Sequence, residues 1–185
     1  MAGAARAQEV SMNETAAQAR ERTPDDFNTP RWLLDEVRKL GQITLDPCSN
    51  PWSTVRALVE LDGSPGKDGL TADWRELAGP GGLVFVNPPY GRGCMSRWAP
   101  TIALNAAAPI ETLALVKADH STAWWDVLRG SADAVVYLAD RVRFEGAKKS
   151  PKGGARWPSA LFYFGARRYV FADIFDALGD VRILR

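Results

Sequence analysis

Leu83-Val84-Phe85-Val86-Asn87-Pro88-Pro89-Tyr90 decides how this chain is read, because four consecutive apolar residues run straight into an asparagine, two prolines and a tyrosine. A short apolar run bounded by a turn is the pattern of a strand buried on both faces, as in the parallel sheet of an α/β protein. Each proline holds φ at about −65°, donates no N–H and pushes the residue before it out of the helical region. The chain therefore leaves the strand as a stiff extended loop whose carbonyls look outward for partners. Asn87 Oδ1 and the Pro88 carbonyl are two acceptors suited to the hydrogens of a planar amino group, whose lone pair is otherwise delocalised into its ring. Tyr90 adds a flat face on which an extruded base can stack. A turn that only leaves a buried strand would account for the same four residues without any chemistry, so the surrounding loops carry the decision.

A second loop of the same kind lies upstream. Ile43-Thr44-Leu45 reads as a short buried strand and puts Asp46 at its carboxyl end, at the head of the turn Asp46-Pro47-Cys48-Ser49-Asn50. In open α/β sheets ligands bind in the crevice outside the carboxyl ends of the strands, and a carboxylate there suits a cationic amine or a hydroxyl. Before it, Asn28 to Gly41 has the pattern of an amphipathic helix, with Thr29 as cap, Pro30 opening it, Gly41 closing it, and Trp32, Leu33, Glu36, Val37 and Leu40 near helical spacing. A third loop, Lys67 to Trp74, contributes Asp68, Gly69, Leu70, Asp73 and the Trp74 indole. Singly these are a solvated turn and a packing aromatic; together they suit a nucleoside pocket.

These ordered motifs resemble those of the phage-type DNA adenine-N6 methyltransferases, which use S-adenosylmethionine. The resemblance runs from about residue 28 to residue 165 and rests on Thr29-Pro30, Leu45-Asp46-Pro47-Cys48-Ser49-Asn50, Asp68-Gly69-Leu70 with Trp74, Val84 to Gly91, Trp98, Thr122 with Trp124-Trp125, and Arg141-Val142-Arg143-Phe144. It implies that Thr29, Pro30, Asp46, Pro47, Cys48, Ser49 and Asn50 line the methionine end of the cofactor. Asp68, Gly69, Leu70, Asp73 and Trp74 would hold its ribose and adenine, and Asn87, Pro88, Pro89 and Tyr90 would be catalytic. Two departures stand out. No Gly-x-Gly follows the first strand, and Pro100 falls where the family runs a helix after Trp98, which places the expected helix start near Ala99 with Pro100 in the first turn.

Length and composition fit a single compact enzyme domain: 185 residues, 46% hydrophobic and 24% charged. Residues 1–26 are rich in Ala, Glu, Gln, Arg and Thr and are expected to be a flexible arm, with residues 27–185 forming the domain. No secretory signal or bilayer-spanning stretch is visible. Two cysteines, Cys48 and Cys94, and the single His120 lack zinc-site spacing, so no metal is expected and the compartment reads as reducing, the cytoplasm of a bacterial or phage-infected host cell. Cys48 reads as a small packing residue and His120 as a surface loop residue.

The formal net charge is only +1, so nucleic acid must be held by a local patch. The stretch 141–158 supplies one: Arg141, Arg143, Lys148, Lys149, Lys152 and Arg156 stand against Glu145 alone, punctuated by Gly146, Pro151, Gly153 and Gly154. It lies between the apolar runs 134–138 and 159–164, as a hairpin reaching over the site toward phosphates. Trp157-Pro158 beside it is a candidate for base stacking or for a buried anchor.

The element order predicts a Rossmann-like α/β fold: a mostly parallel central sheet with helices on both faces, an antiparallel strand pair at the end, a short helix near 170–178 and a last strand near 181–184. The function expected is methyl transfer from S-adenosylmethionine to the N6 amino group of adenine in DNA, double-stranded and with the target base flipped. Alternatives with the same loop are methylation of cytosine N4, RNA adenine or a protein glutamine, or a binding protein of the same fold without turnover. The oligomeric state is not legible.

Overall fold

The computed structural model describes residues 28–106, 109–145, 155 and 157–185. The expected N-terminal arm and the basic positions Lys148, Lys149, Lys152 and Arg156 lie outside these residues.

In chain order the elements are α1 (Arg31–Arg38), β1 (Ile43–Asp46), β2 (Val59–Glu60), α2 (Trp74–Ala78), β3 (Leu83–Val86), α3 (Cys94–Asn105), β4 (Glu111–Lys117), α4 (Ala123–Ser131), β5 (Ala134–Leu138), β6 (Ser159–Phe164), α5 (Arg168–Phe175), a 3-10 turn (Asp176–Leu178) and β7 (Gly179–Ile183). The seven strands form one sheet in the order β2-β1-β3-β4-β6-β5-β7. Pairings from β2 through β1 and β3 to β4 are parallel, and those of β6 with β4 and β5, and of β7 with β5, are antiparallel. The fold is thus the mixed α/β, Rossmann-like arrangement that the sequence predicts. The antiparallel pairings lie at one end of the sheet, as expected: β6 is inserted between β4 and β5, and β7 closes the edge on the other side of β5.

Period-two alternation sends side chains to two cores. Leu83 and Phe85, Leu113 and Leu115, and Leu161 and Tyr163 face one layer, with Leu33, Leu34 and Val37 of α1 and Phe171 and Phe175 of α5. Val84 and Val86, Ala114 and Val116, and Ala160 and Phe162 face the other, with Trp74 of α2, Trp98 and Ile102 of α3, and Trp125 and Leu128 of α4. Strands with apolar residues on both faces are what a sheet covered on both sides requires, which is why 83–86 is an unbroken apolar run.

Local expectations shift in three places. The first helix begins at Arg31, with Pro30 in the capping position (φ −67°, ψ 148°) and no side-chain cap; Thr29 stays outside it, buried. Its buried face is Leu33, Leu34 and Val37, while Trp32 is 42% exposed, since residues i, i+1 and i+4 form the stripe that meets the sheet. The helix expected near Ala99 starts instead at Cys94 and carries Pro100 in its interior. Burial of Met95, Trp98, Ala99 and Ile102 holds it there despite the missing N–H, and the Thr101 hydroxyl donates to the Arg97 carbonyl beside the interruption.

Candidate active site

At the carboxyl ends of the parallel strands, Asn28, Thr29, Asp46, Cys48, Asn50, Ser53, Val55 and Asn87 line one small cavity. Sequence positions 58 residues apart meet here, where Asn87 Nδ2 donates to Thr29 Oγ1 at 3.3 Å. Thr29 is held in turn by the Thr54 hydroxyl, which donates to its carbonyl at 2.6 Å. Asn28, absent from the expected site, is buried and central to the wall: it accepts from Asn50 Nδ2 at 3.1 Å and donates to the Trp52 carbonyl at 2.7 Å.

Asp46 ends β1 and is 3% exposed. One carboxylate oxygen accepts from Cys48 N–H at 3.1 Å and the other from Ser53 Oγ at 3.4 Å. Burial pushes its pKa up to about 7 against the lowering effect of these bonds, and the neighbouring Glu60 charge adds to the rise. Glu60 is the second residue that sequence reasoning missed. It ends β2 directly in register with Asp46, one of its oxygens accepts from Ala57 N–H at 3.2 Å, and an acid closing the short strand Val59-Glu60 was the available signal. Ser49 Oγ is buried without a hydrogen bond of normal geometry, although it lies close enough to Asp46 to ease its charge. The Cys48 thiol is pushed well above its usual range by burial and by the Asp46 charge, so it stays protonated.

The 67–74 loop is positioned by close approach rather than by its acids. A Cβ on Gly69 would lie 1.7 Å from the Pro47 carbonyl oxygen, so only glycine lets the Asp46–Asn50 turn and this loop touch. Trp74 is wholly buried, its Nε1 donating to the Gly69 carbonyl at 2.8 Å. It therefore supports the loop from below and offers no open face to a ligand, a correction to the expected ring contact. Asp73 caps α2 by accepting from the Arg75 and Glu76 N–H groups, and Asp68 closes its own turn on Leu70 N–H. Both are exposed, and Leu70 is packed partly into the core.

In the Asn87–Tyr90 loop the Pro88 carbonyl accepts no hydrogen bond among the described residues. Asn87 Oδ1 lies 2.9 Å from the Tyr90 hydroxyl, which is also 3.2 Å from the Leu115 carbonyl. Lys117 Nζ donates to the Tyr90 carbonyl at 3.3 Å. The Tyr90 ring is only 8% exposed, with Phe144 at 5.9 Å and Trp157 edge-on at 5.6 Å. The open stacking platform expected of Tyr90 is thus covered here by two aromatic rings. Trp157 Nε1 is buried without a hydrogen-bond partner among the described residues, and Lys117 Nζ sits 4.1 Å from the Trp157 ring centre.

Among the described basic positions, Arg141 and Arg143 are exposed while Val142 and Phe144 alternate inward. Arg141 Nη1 donates to the Ala155 carbonyl at 3.2 Å, and Glu145 bridges to Asn28, tying this segment to the cavity wall. His120 is exposed and packs on Trp125 and Tyr137, away from the cavity. A larger groove of about 930 Å³ lies at the opposite end of the sheet, around Glu111 and its ion pair with Arg167; none of the expected site residues lines it. Among the described residues no cluster of three metal-ligating side chains occurs, both cysteines are free, and no helix is long and apolar enough to cross a membrane.

The family model described as DNA N-6-adenine-methyltransferase (Dam) matches residues 16–168, from within the N-terminal segment to the start of α5. No curated protein matches the chain.

Proposed function

Because the chain belongs to the Dam family of DNA N-6-adenine-methyltransferases, we propose that its cavity joins S-adenosylmethionine to the N6 amino group of adenine in DNA. The observation that carries this reading is the meeting of Asp46, Thr29 and Asn87 in one cavity at the carboxyl ends of β1 and β3. The residues present fit the cofactor. A buried carboxylate with a raised pKa calls for a cationic partner, which the amino group of a methionine moiety provides, and the Ser49 hydroxyl is buried beside it without a bond. The neighbouring Glu60 carboxylate suits ribose hydroxyls.

When bound, the cofactor supplies an electrophilic methyl group on a sulfonium. Asp46 holds the cation and Gly69, by its contact with Pro47, keeps the two loops together. Asn87 Oδ1 and the Pro88 carbonyl accept the two amine hydrogens, drawing the nitrogen lone pair out of the ring conjugation toward the methyl. Most of the acceleration comes from alignment and from acceptors placed where positive charge develops on nitrogen, with the proton leaving to water. A double-stranded substrate requires the adenine to leave the stack, and the extruded base meets the packed aromatic cluster of Tyr90, Phe144 and Trp157.

Asn87→Ala tests the division of labour. Turnover is expected to fall by about 100-fold, as for loss of a single group that stabilises developing charge, while calorimetric affinity for S-adenosylmethionine stays within about threefold. Equal loss of both would overturn the assignment of Asn87 to the amine.

A further inference from the structure

Beside the cavity, α1 and residues 52–56 border a groove of about 600 Å³ lined by Arg31, Arg38, Arg56 and Trp52 together with the acids Asp35 and Glu145. Ser53 lines both the groove and the cavity, and Asn28 joins their walls by holding the Trp52 carbonyl and bridging to Glu145. The groove therefore adjoins the cavity that Asn87 lines.

Its three cations are not equivalent. Arg38 is committed to Asp35 at 3.2 Å and to the Val55 carbonyl at 3.0 Å. The guanidinium groups of Arg31 and Arg56 make no hydrogen bond or ion pair among the described residues. Arg56 is also the one described non-glycine residue with positive φ, at 50°. A long side chain is disfavoured in the left-handed region, where glycine or asparagine is at ease. Neighbouring bonds, Ala57 N–H to Glu60 and Leu58 N–H to Ile43, fix the backbone there, yet among the described residues none bonds the guanidinium. A strained residue kept without a structural partner at the rim of a site points to a ligand outside the chain.

We propose that this groove seats the DNA strand flanking the extruded adenine, with Arg31 and Arg56 each binding a backbone phosphate. The inference rests on the reading of the chain as a DNA methyltransferase. Glu145 repels phosphate and so favours seating the strand on Arg31 and Arg56.

Arg56→Asn and Arg31→Gln, singly and together, test this by fluorescence anisotropy with a labelled, adenine-containing duplex across a salt series. Each change is expected to weaken binding by about tenfold at low salt and to lower the slope of log affinity against log salt by about 1, the double variant by about 2. S-adenosylmethionine affinity is expected to be unchanged, and the unfolding temperature of Arg56→Asn equal or higher, because asparagine tolerates the left-handed backbone. Wild-type affinity and slope in a folded double variant would overturn the inference and leave the proposed function standing. A lowered unfolding temperature with unaltered DNA binding would make Arg56 structural. A wild-type protein that binds S-adenosylmethionine but no duplex would remove the DNA reading and this inference with it.

Discussion

The Tyr90 hydroxyl lies 2.9 Å from Asn87 Oδ1 and 3.2 Å from the carbonyl of Leu115, so the acceptor proposed for the substrate amine is fastened to strand β4. The Asn87–Tyr90 loop is thereby tied to the sheet. Tyr90→Phe keeps the ring packed on Phe144 and Trp157 and deletes only this fastening. Folding stability is expected to fall by about 1 kcal/mol, the net worth of a buried hydrogen bond. Turnover should fall by about tenfold, equivalent to about 1.4 kcal/mol in the barrier, with cofactor affinity unaltered. Steady-state kinetics beside chemical denaturation separates the two effects, and unchanged turnover would mean that Asn87 needs no such support.

Asp46 gives the site a pH dependence of defined sign. Its folded-state pKa, about 7, lies above its usual 3.8 because burial penalises the charged form. Its contribution to folding is therefore complete below about pH 4 and is lost as pH rises through about 7. Asp46→Asn should accordingly stabilise the cofactor-free protein at pH 8 by about 2–4 kcal/mol. Cofactor binding moves the opposite way, since the cationic amine needs the carboxylate. Affinity of the unaltered protein should rise between pH 6 and pH 8, whereas that of Asp46→Asn should be weak and flat. Calorimetric titrations at the two pH values check this; a pH-independent affinity in the unaltered protein would count against the ion pair.

Gly69→Ala examines the contact between the two cofactor loops. A Cβ placed 1.7 Å from the Pro47 oxygen cannot be accommodated without moving one loop, and Trp74 Nε1 holds the Gly69 carbonyl in place. Destabilisation of about 2–3 kcal/mol is expected from overpacking, with cofactor affinity lowered by at least about tenfold. Gly130→Ala, in α4 with nothing within 4 Å of an added Cβ and no left-handed backbone, serves as the comparison. Equal effects of both would show that the Pro47 contact carries no special weight.

Trp157 packs edge-on over Tyr90, with its Nε1 buried and without a partner among the described residues. Trp157→Ala removes one ring of this aromatic cluster. DNA KM is expected to rise by about tenfold, in line with the loss of one stacking partner of about 1–3 kcal/mol, while S-adenosylmethionine affinity holds. Trp157→Phe, which restores a ring, should recover most of the loss. If both variants methylate DNA as the unaltered protein does, the indole is only an anchor for the loop.

The fold was legible because its central strands are buried on both faces. Leu83–Val86, 134–138 and 159–164 read as apolar runs, and the turns after β1 and β3 mark the carboxyl ends of those strands with Asp46 and Asn87. What the sequence concealed depends on packing across distance. Insertion of β6 between β4 and β5 is a matter of strand order, which hydrophobic periodicity does not encode. Trp74 and Asp73 looked like ligand contacts from their company, yet one is drawn under Gly69 and the other caps α2, the ordinary fates of a large aromatic and of an aspartate before a helix. Pro100 argued for a late helix start, and burial of Trp98 and Ala99 overrode it. Asn28 and Glu60 were overlooked because each acts through neighbours that only the folded chain supplies.

The central claim is methyl transfer to adenine N6, and it is tested most directly by incubating the purified protein with methyl-labelled S-adenosylmethionine and unmethylated duplex DNA, then digesting the DNA to nucleosides and separating them. Label in N6-methyladenosine of the deoxy series, absent with Asn87→Ala, is the expected result. Label in N4-methylcytosine, or none while the cofactor is bound, would contradict it.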